Sequence, residues 1–334
     1  MKSRRFGRMG WELSEIGFGA WAIGGMWGDQ SDSDSLAALQ KYIDLGGNFI
    51  DTAQAYGEGR SERIIAKVLK ERRERIYVAT KLPPKNLLWN PPSWTPHEKA
   101  FPASYIVAGV ETSLKNLQTD CLDIYQLHTW CETWNTADEI FEAGEKLKKD
   151  GKIRAYGVST TESFPECVIG ALQTGTIDSL QLIFNLFEQH PRETLFPVCK
   201  QYDIGTIVRV PFDEGSLTGK YKGDETFAVD DFRSIYFSGG NLHATVERVE
   251  AIREWAQRNL PGMPLAELAM RWVLSHDEAD VVIPGIRNLR QAELNTAPSD
   301  GKRLSSNQMR ELKRFAWRRN PWKEALPPLR EIIG

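Results

Sequence analysis

Eight short apolar runs recur along this chain, and a helical pattern follows each of them. The runs are EIGFGAW (15–21), NFIDTA (48–53), IYVATKL (76–82), LDIYQLH (122–128), IRAYGVS (153–159), SLQLIFN (179–185), GTIVRVP (205–211) and DVVIPG (280–285). Between and after them, residue spacing predicts helices over 33–45, 61–70, 102–117, 136–149, 164–174, 192–202, 244–258 with 264–275, and 288–296. Several runs are apolar throughout, as strands covered on both faces must be. Alternation of strand and helix predicts parallel βαβ units. Eight units in 334 residues fit an α/β fold with one closed (β/α)8 TIM barrel. No linker composition interrupts them, so residues 1–334 read as a single domain. The segment RRFGRMGWEL (4–13) predicts a short N-terminal β-hairpin, with Gly7 and Gly10 at its turn. The rival is a doubly wound dinucleotide fold. Its G-x-G-x-x-G fingerprint is missing, because GFGAWAIGG (17–25) spaces its glycines differently.

Composition narrows the function classes. An apolar fraction of 41% and a charged fraction of 26% are those of a soluble globular protein. A net charge of −3 gives no footprint for nucleic acid, and KERRER (70–75) reads as a solvated helix end. The basic start is interrupted by charges before any apolar core, so no signal peptide is expected. No run approaches membrane-spanning length. Cys121, Cys131, Cys167 and Cys199 are widely spaced and read as reduced thiols of a cytoplasmic protein. His97, His128, His190, His243 and His276 show no metal-ligand spacing, and no metal is expected.

In an α/β barrel, chemistry sits at the carboxyl ends of the strands. Asp51 ends the second run, Tyr56 lies in the loop after it, Lys81 ends the third and His128 the fourth. Taken singly, Asp51 could be a turn acid, Tyr56 a loop tyrosine and His128 a strand-end histidine. Lys81 is harder to set aside, because an ammonium at the end of an apolar strand needs a partner. Asp51, one strand away, is the natural one. Four ionisable groups at one mouth also make chemical sense together. A phenol is a proton donor near neutral pH, a lysine cation stabilises the phenolate left behind, the carboxylate holds the lysine, and a neutral histidine positions a substrate oxygen. Such a group would protonate a carbonyl oxygen while hydride arrives at the carbon. Side chains do not supply hydride, so a nicotinamide cofactor is expected.

At these residues the sequence resembles the aldo-keto reductases. The likeness rests on GFGAW (17–21), FIDTAQAYGEGRSE (49–62), ATK (79–81), LDIYQLH (122–128), GKIRAYGVST (151–160), GSLTGKY (215–221) and VIPGIRNLRQAELN (282–295), in that order. The resemblance implies a catalytic tetrad at Asp51, Tyr56, Lys81 and His128, with Tyr56 as general acid–base. It implies NADP(H) as cofactor and a small-molecule carbonyl substrate. Ser159, Thr160 and Gln181 would hold the nicotinamide carboxamide. Gly215, Ser216 and Leu217 would wrap the pyrophosphate, and Arg287, Gln291 and Asn295 would hold the adenosine end.

The chain departs from the family pattern in three places. Thr160 stands where Asn is usual, and Arg209 where an aromatic usually stacks on the nicotinamide. Gly285 and Ile286 replace a Lys-Ser phosphate pair, which leaves Arg287 to bind an adenosine phosphate. Arg209 is expected against the cofactor, with Asp213 or Glu214 available to pair with it. Trp21, Trp27, Trp89, Trp94, Trp130 and Trp134 fall in or near the mouth loops, to line a pocket or to pack the loops. Two rival functions remain at this stage: a barrel aldolase using Lys81 as a Schiff base, and a redox-sensing partner subunit similar to the potassium-channel β subunits.

Overall fold

The structure is a computed structural model, and it describes residues 1–25, 28, 30–229 and 231–318. Among the described residues, ten strands form two sheets. β1 (Ser3–Phe6) and β2 (Trp11–Ser14) make an antiparallel hairpin, with Phe6 opposite Trp11. The other eight strands are parallel and neighbour one another in chain order: β3 (Phe18–Gly19), β4 (Phe49–Asp51), β5 (Tyr77–Leu82), β6 (Leu122–Leu127), β7 (Ile153–Ser159), β8 (Ser179–Ile183), β9 (Gly205–Arg209) and β10 (Val281–Val282). Parallel bridges from Ile16 to Val282 and from Gly19 to Gly285 join the first of these to the last. The sheet is therefore closed, and each expected barrel strand is present.

The helices are α1 (Asp32–Asp44), α2 (Arg60–Glu71), α3 (His97–Ala100), α4 (Ala103–Leu117), α5 (Asp138–Lys149), α6 (Ile169–Gln173), α7 (Leu195–Gln201), α8 (Phe232–Tyr236), α9 (Asn241–Asn259), α10 (Leu265–Leu274), α11 (Leu289–Thr296) and α12 (Ser306–Leu312). Local chemistry explains their starts. Ser31 caps α1 by accepting from the Asp34 N–H, with Asp32 and Asp34 in the first turn, and Asn288 caps α11 through Gln291. Ser305 and Gln308 form a reciprocal capping box on α12. Short helices α3, α8 and α12 lie outside the expected set.

Two cores follow from the strand alternation. Outward-facing residues pack under the helices in one large cluster, whereas Phe49, Ala79, Ile124, Ala155, Ile207 and Val281 fill the barrel interior. Phe6 and Leu13 of the hairpin belong to that interior cluster and plug its amino-terminal end. One step up the same strands, two residues on, the interior turns polar with Asp51, Lys81 and Gln126. An apolar floor under a buried polar layer is what positions the site.

Candidate active site

Each member of the expected tetrad reaches the barrel mouth, and three are directly bonded. The Lys81 ammonium donates to Asp51 Oδ1 at 2.6 Å, to the Thr52 carbonyl at 2.8 Å and to the Tyr56 hydroxyl at 3.2 Å. Gln181 donates its amide to the other Asp51 oxygen at 2.7 Å. Thr80, the outward neighbour of Lys81, donates to buried Glu62 at 2.6 Å and so ties β5 to α2. Gly57 explains how Tyr56 gets there. Its φ is +61°, and a Cβ at that position would lie 2.1 Å from the Gly24 carbonyl oxygen, so only glycine lets the Tyr56 loop approach so closely. His128 stands edge-on to Tyr56, with ring centroids 5.8 Å apart.

The protonation states follow from burial and neighbours. Burial works against the Lys81 charge, but Asp51 and Tyr56 outweigh it and raise the lysine pKa above its ordinary value. Burial pushes Asp51 up while Lys81 and Gln181 pull it down; with an ammonium and an amide both aimed at it, the carboxylate is the form that uses both donors. Burial raises the Tyr56 hydroxyl, and Lys81 offsets this only in part, so the phenol keeps its proton at neutral pH. Burial, Lys81 and Arg209 together hold His128 well below its usual range, as a neutral ring. A protonated acid, a fixed cation beside it and a neutral imidazole therefore meet at one point.

The residues expected to hold a nicotinamide cofactor surround this point. Ser159 and Gln181 are register partners on β7 and β8. The Thr160 hydroxyl is buried with no hydrogen-bond partner, and so suits an amide ligand. Gln181 has its amide nitrogen on Asp51, which leaves its side-chain oxygen to accept. In the loop after β9, Val210, Asp213, Glu214 and Gly215 all have positive φ. The backbone N–H groups of Gly215, Ser216 and Leu217 donate within this loop, to Phe212, Asp213 and Phe212. A cation is available there instead: Lys220 Nζ lies 2.7 Å from where a Gly215 Cβ would stand. That lysine was missed in the sequence, although GKY carried it. Arg287, Gln291 and Asn295 gather at the end of β10. The Arg287 N–H donates to Gln291, Arg287 Nε donates to Gln30 at 3.0 Å, and Asn295 donates to the Gly285 carbonyl.

Other expectations are redistributed. Arg209 pairs with Glu162 at 3.1 Å, an acid not anticipated, whereas Asp213 accepts from Ser216 and Tyr236. Trp130 and Trp134 are fully buried and bond to Asn135 and the Thr95 carbonyl, so they pack loops. Trp89 stands 4.9 Å from the His128 ring and Trp21 lies against Phe232, both at the mouth. Trp94 is 69% exposed. Trp27 lies outside the described residues.

A closed parallel barrel with a buried Asp–Lys–Tyr chain and a neutral histidine at its mouth defines a carbonyl oxidoreductase of the barrel type. The chain belongs to the aldo/keto reductase family, whose pattern matches residues 15–316. It is 35% identical over 289 residues to aldo-keto reductase YhdN of Bacillus subtilis, covering 85% of this chain and 84% of that one. A probable voltage-gated potassium channel subunit beta of Oryza sativa is 29% identical over 314 residues, covering 90% and 92%. Among solved structures, the holo form of aldo-keto reductase AKR11C1 from Bacillus halodurans superposes with a TM-score of 0.76 at 27% identity, covering 96% and 97%. This protein is thus an oxidoreductase of the aldo/keto reductase family.

Proposed function

We propose that the protein reduces an aldehyde or ketone to an alcohol with NADPH, with Tyr56 as the general acid. The observation that carries the reading is the Lys81 ammonium, buried between the Asp51 carboxylate and the Tyr56 hydroxyl. Bound cofactor supplies the hydride; the protein handles the proton. Tyr56 donates to the carbonyl oxygen as charge develops there. Lys81 lies beside the phenolate that forms and lowers its energy. His128, neutral and edge-on to Tyr56, can donate an N–H to the same oxygen and orient it. Trp89 stands against His128 and Trp21 against Phe232, so two indole rings flank the opening.

The same contacts argue against Schiff-base chemistry. That mechanism needs a neutral amine, but Lys81 has three acceptors around it and a raised pKa. Likeness to a channel subunit does not favour a non-enzymatic role either, because the proton-donating chain is complete here. The four cysteines are free thiols, which fits a reducing compartment such as the cytoplasm.

A panel of aldehydes and ketones, followed by NADPH absorbance, tests the activity. The choice of phosphate-bearing cofactor falls to Arg287. A guanidinium pairs bidentately with a 2′-phosphate, and NADH offers only a hydroxyl there. Arg287→Ala should reduce the preference for NADPH over NADH by about tenfold, the worth of a charge-assisted hydrogen bond. Titration of both cofactors checks this, and an unchanged ratio of affinities removes Arg287 from the site.

A further inference from the structure

Arg209 ends β9 on the inner face of the barrel, two residues beyond interior Ile207 and opposite Ile183. Its guanidinium donates to Glu162 at 3.1 Å and to the Thr160 carbonyl at 3.3 Å. Only 19% of the Arg209 side chain and 17% of the Glu162 side chain are exposed, so solvent screens the pair weakly. The Arg209 Nε is buried with no hydrogen-bond partner. Its charge is close enough to oppose protonation of His128. Glu162 is itself fixed from a third loop. Asn90 Oδ1 accepts from the Glu162 and Ser163 N–H groups at 3.1 and 3.4 Å, and Thr129 holds that loop through the Trp89 carbonyl at 2.7 Å.

We infer that Glu162 is a positioning residue that sets the balance between bound oxidised and reduced cofactor, by neutralising Arg209 beside the nicotinamide. The inference rests on the nicotinamide reading above. Oxidised nicotinamide carries a positive charge and reduced nicotinamide carries none. A bare guanidinium beside the ring therefore weakens binding of NADP⁺ and leaves NADPH almost untouched. The Glu162 carboxylate cancels most of that bias, so both forms remain usable at one site. Because Asn90 holds the Glu162 backbone, the loop between β5 and α3 fixes where the cancelling charge lies.

The test is to measure dissociation constants for NADPH and NADP⁺ by tryptophan fluorescence in wild type, in Glu162→Gln and in Glu162→Gln/Arg209→Gln. Glutamine keeps the shape and the acceptor but removes the charge. The ratio of the NADP⁺ constant to the NADPH constant should rise about five- to tenfold in Glu162→Gln, for a partly screened charge near the ring. It should return to the wild-type value or below in the double variant. A merely structural role would weaken both forms by one factor, and that result overturns the inference. A raised ratio that persists without Arg209 overturns it too. Wild-type protein that binds neither form refutes the nicotinamide reading itself.

Discussion

A phenol gives up its proton readily only where something nearby welcomes the charge left behind, and for Tyr56 that is Lys81. These two, with Asp51, were legible because each follows a strand whose apolar pattern shows where its carboxyl end lies. The partner of Arg209 was not legible. Asp213 and Glu214 are closer in sequence, but positive φ at both turns the loop, and Asp213 bonds to Tyr236 and Ser216. Glu162 comes from another strand's loop, and only the closed barrel brings it in. Histidine's state also has a measurable consequence. A His128 pKa well below the usual range means no loss of proton on that ring near pH 6.5. Burial holds the Tyr56 pKa above that of an ordinary phenol, so the acid stays protonated through the neutral range. The pH profile of kcat for carbonyl reduction should therefore be flat from about pH 6 to 9 and fall only as Tyr56 deprotonates. An inflection near 6.5 that vanishes in His128→Gln would contradict the neutral ring.

Long elements announced themselves through periodicity, and short ones did not. Helices α1, α2, α4 and α5 run 12 to 15 residues and were expected nearly to their ends. Helices α3 and α8 have four and five residues, too few to repeat an apolar spacing. They sit in the long connections after β5 and β9, where tertiary packing decides the structure. One such contact is Phe232 of α8 against Trp21. The hairpin was legible from its glycines, but its role as a plug depends on where Phe6 lands. Phe6 is fully buried under the barrel floor. Phe6→Ala should destabilise the protein by about 3–5 kcal/mol, as large core truncations do. Urea unfolding measures it. Turnover per folded molecule should hardly change, because the plug lies at the end opposite the mouth. A loss below about 1 kcal/mol, the range of surface changes, would show that the hairpin does not hold the barrel floor.

At the scale of the whole molecule, strand order and closure do what no single element does. Parallel strands in chain order place Asp51, Lys81 and His128 at the ends of three neighbours, and the bridges from Ile16 to Val282 and Gly19 to Gly285 bring the loops after β3 and β10 together. Gln30 therefore meets Arg287 although 257 residues separate them. The barrel was readable as a count of strands and crossovers, but which loops touch over the mouth was not. The central claim is that this barrel exists to hand a proton from Tyr56 to a carbonyl oxygen. Its most direct test is single-turnover oxidation of bound NADPH by a carbonyl substrate in wild type and in Tyr56→Phe. On the proposed reading the hydroxyl acts in the chemical step and does not anchor the cofactor. NADPH affinity should stay within about twofold, while the oxidation rate falls by about 10²–10⁴, the worth of a general acid. A Tyr56→Phe variant that keeps more than about a tenth of the wild-type rate, well above that range, would contradict the account.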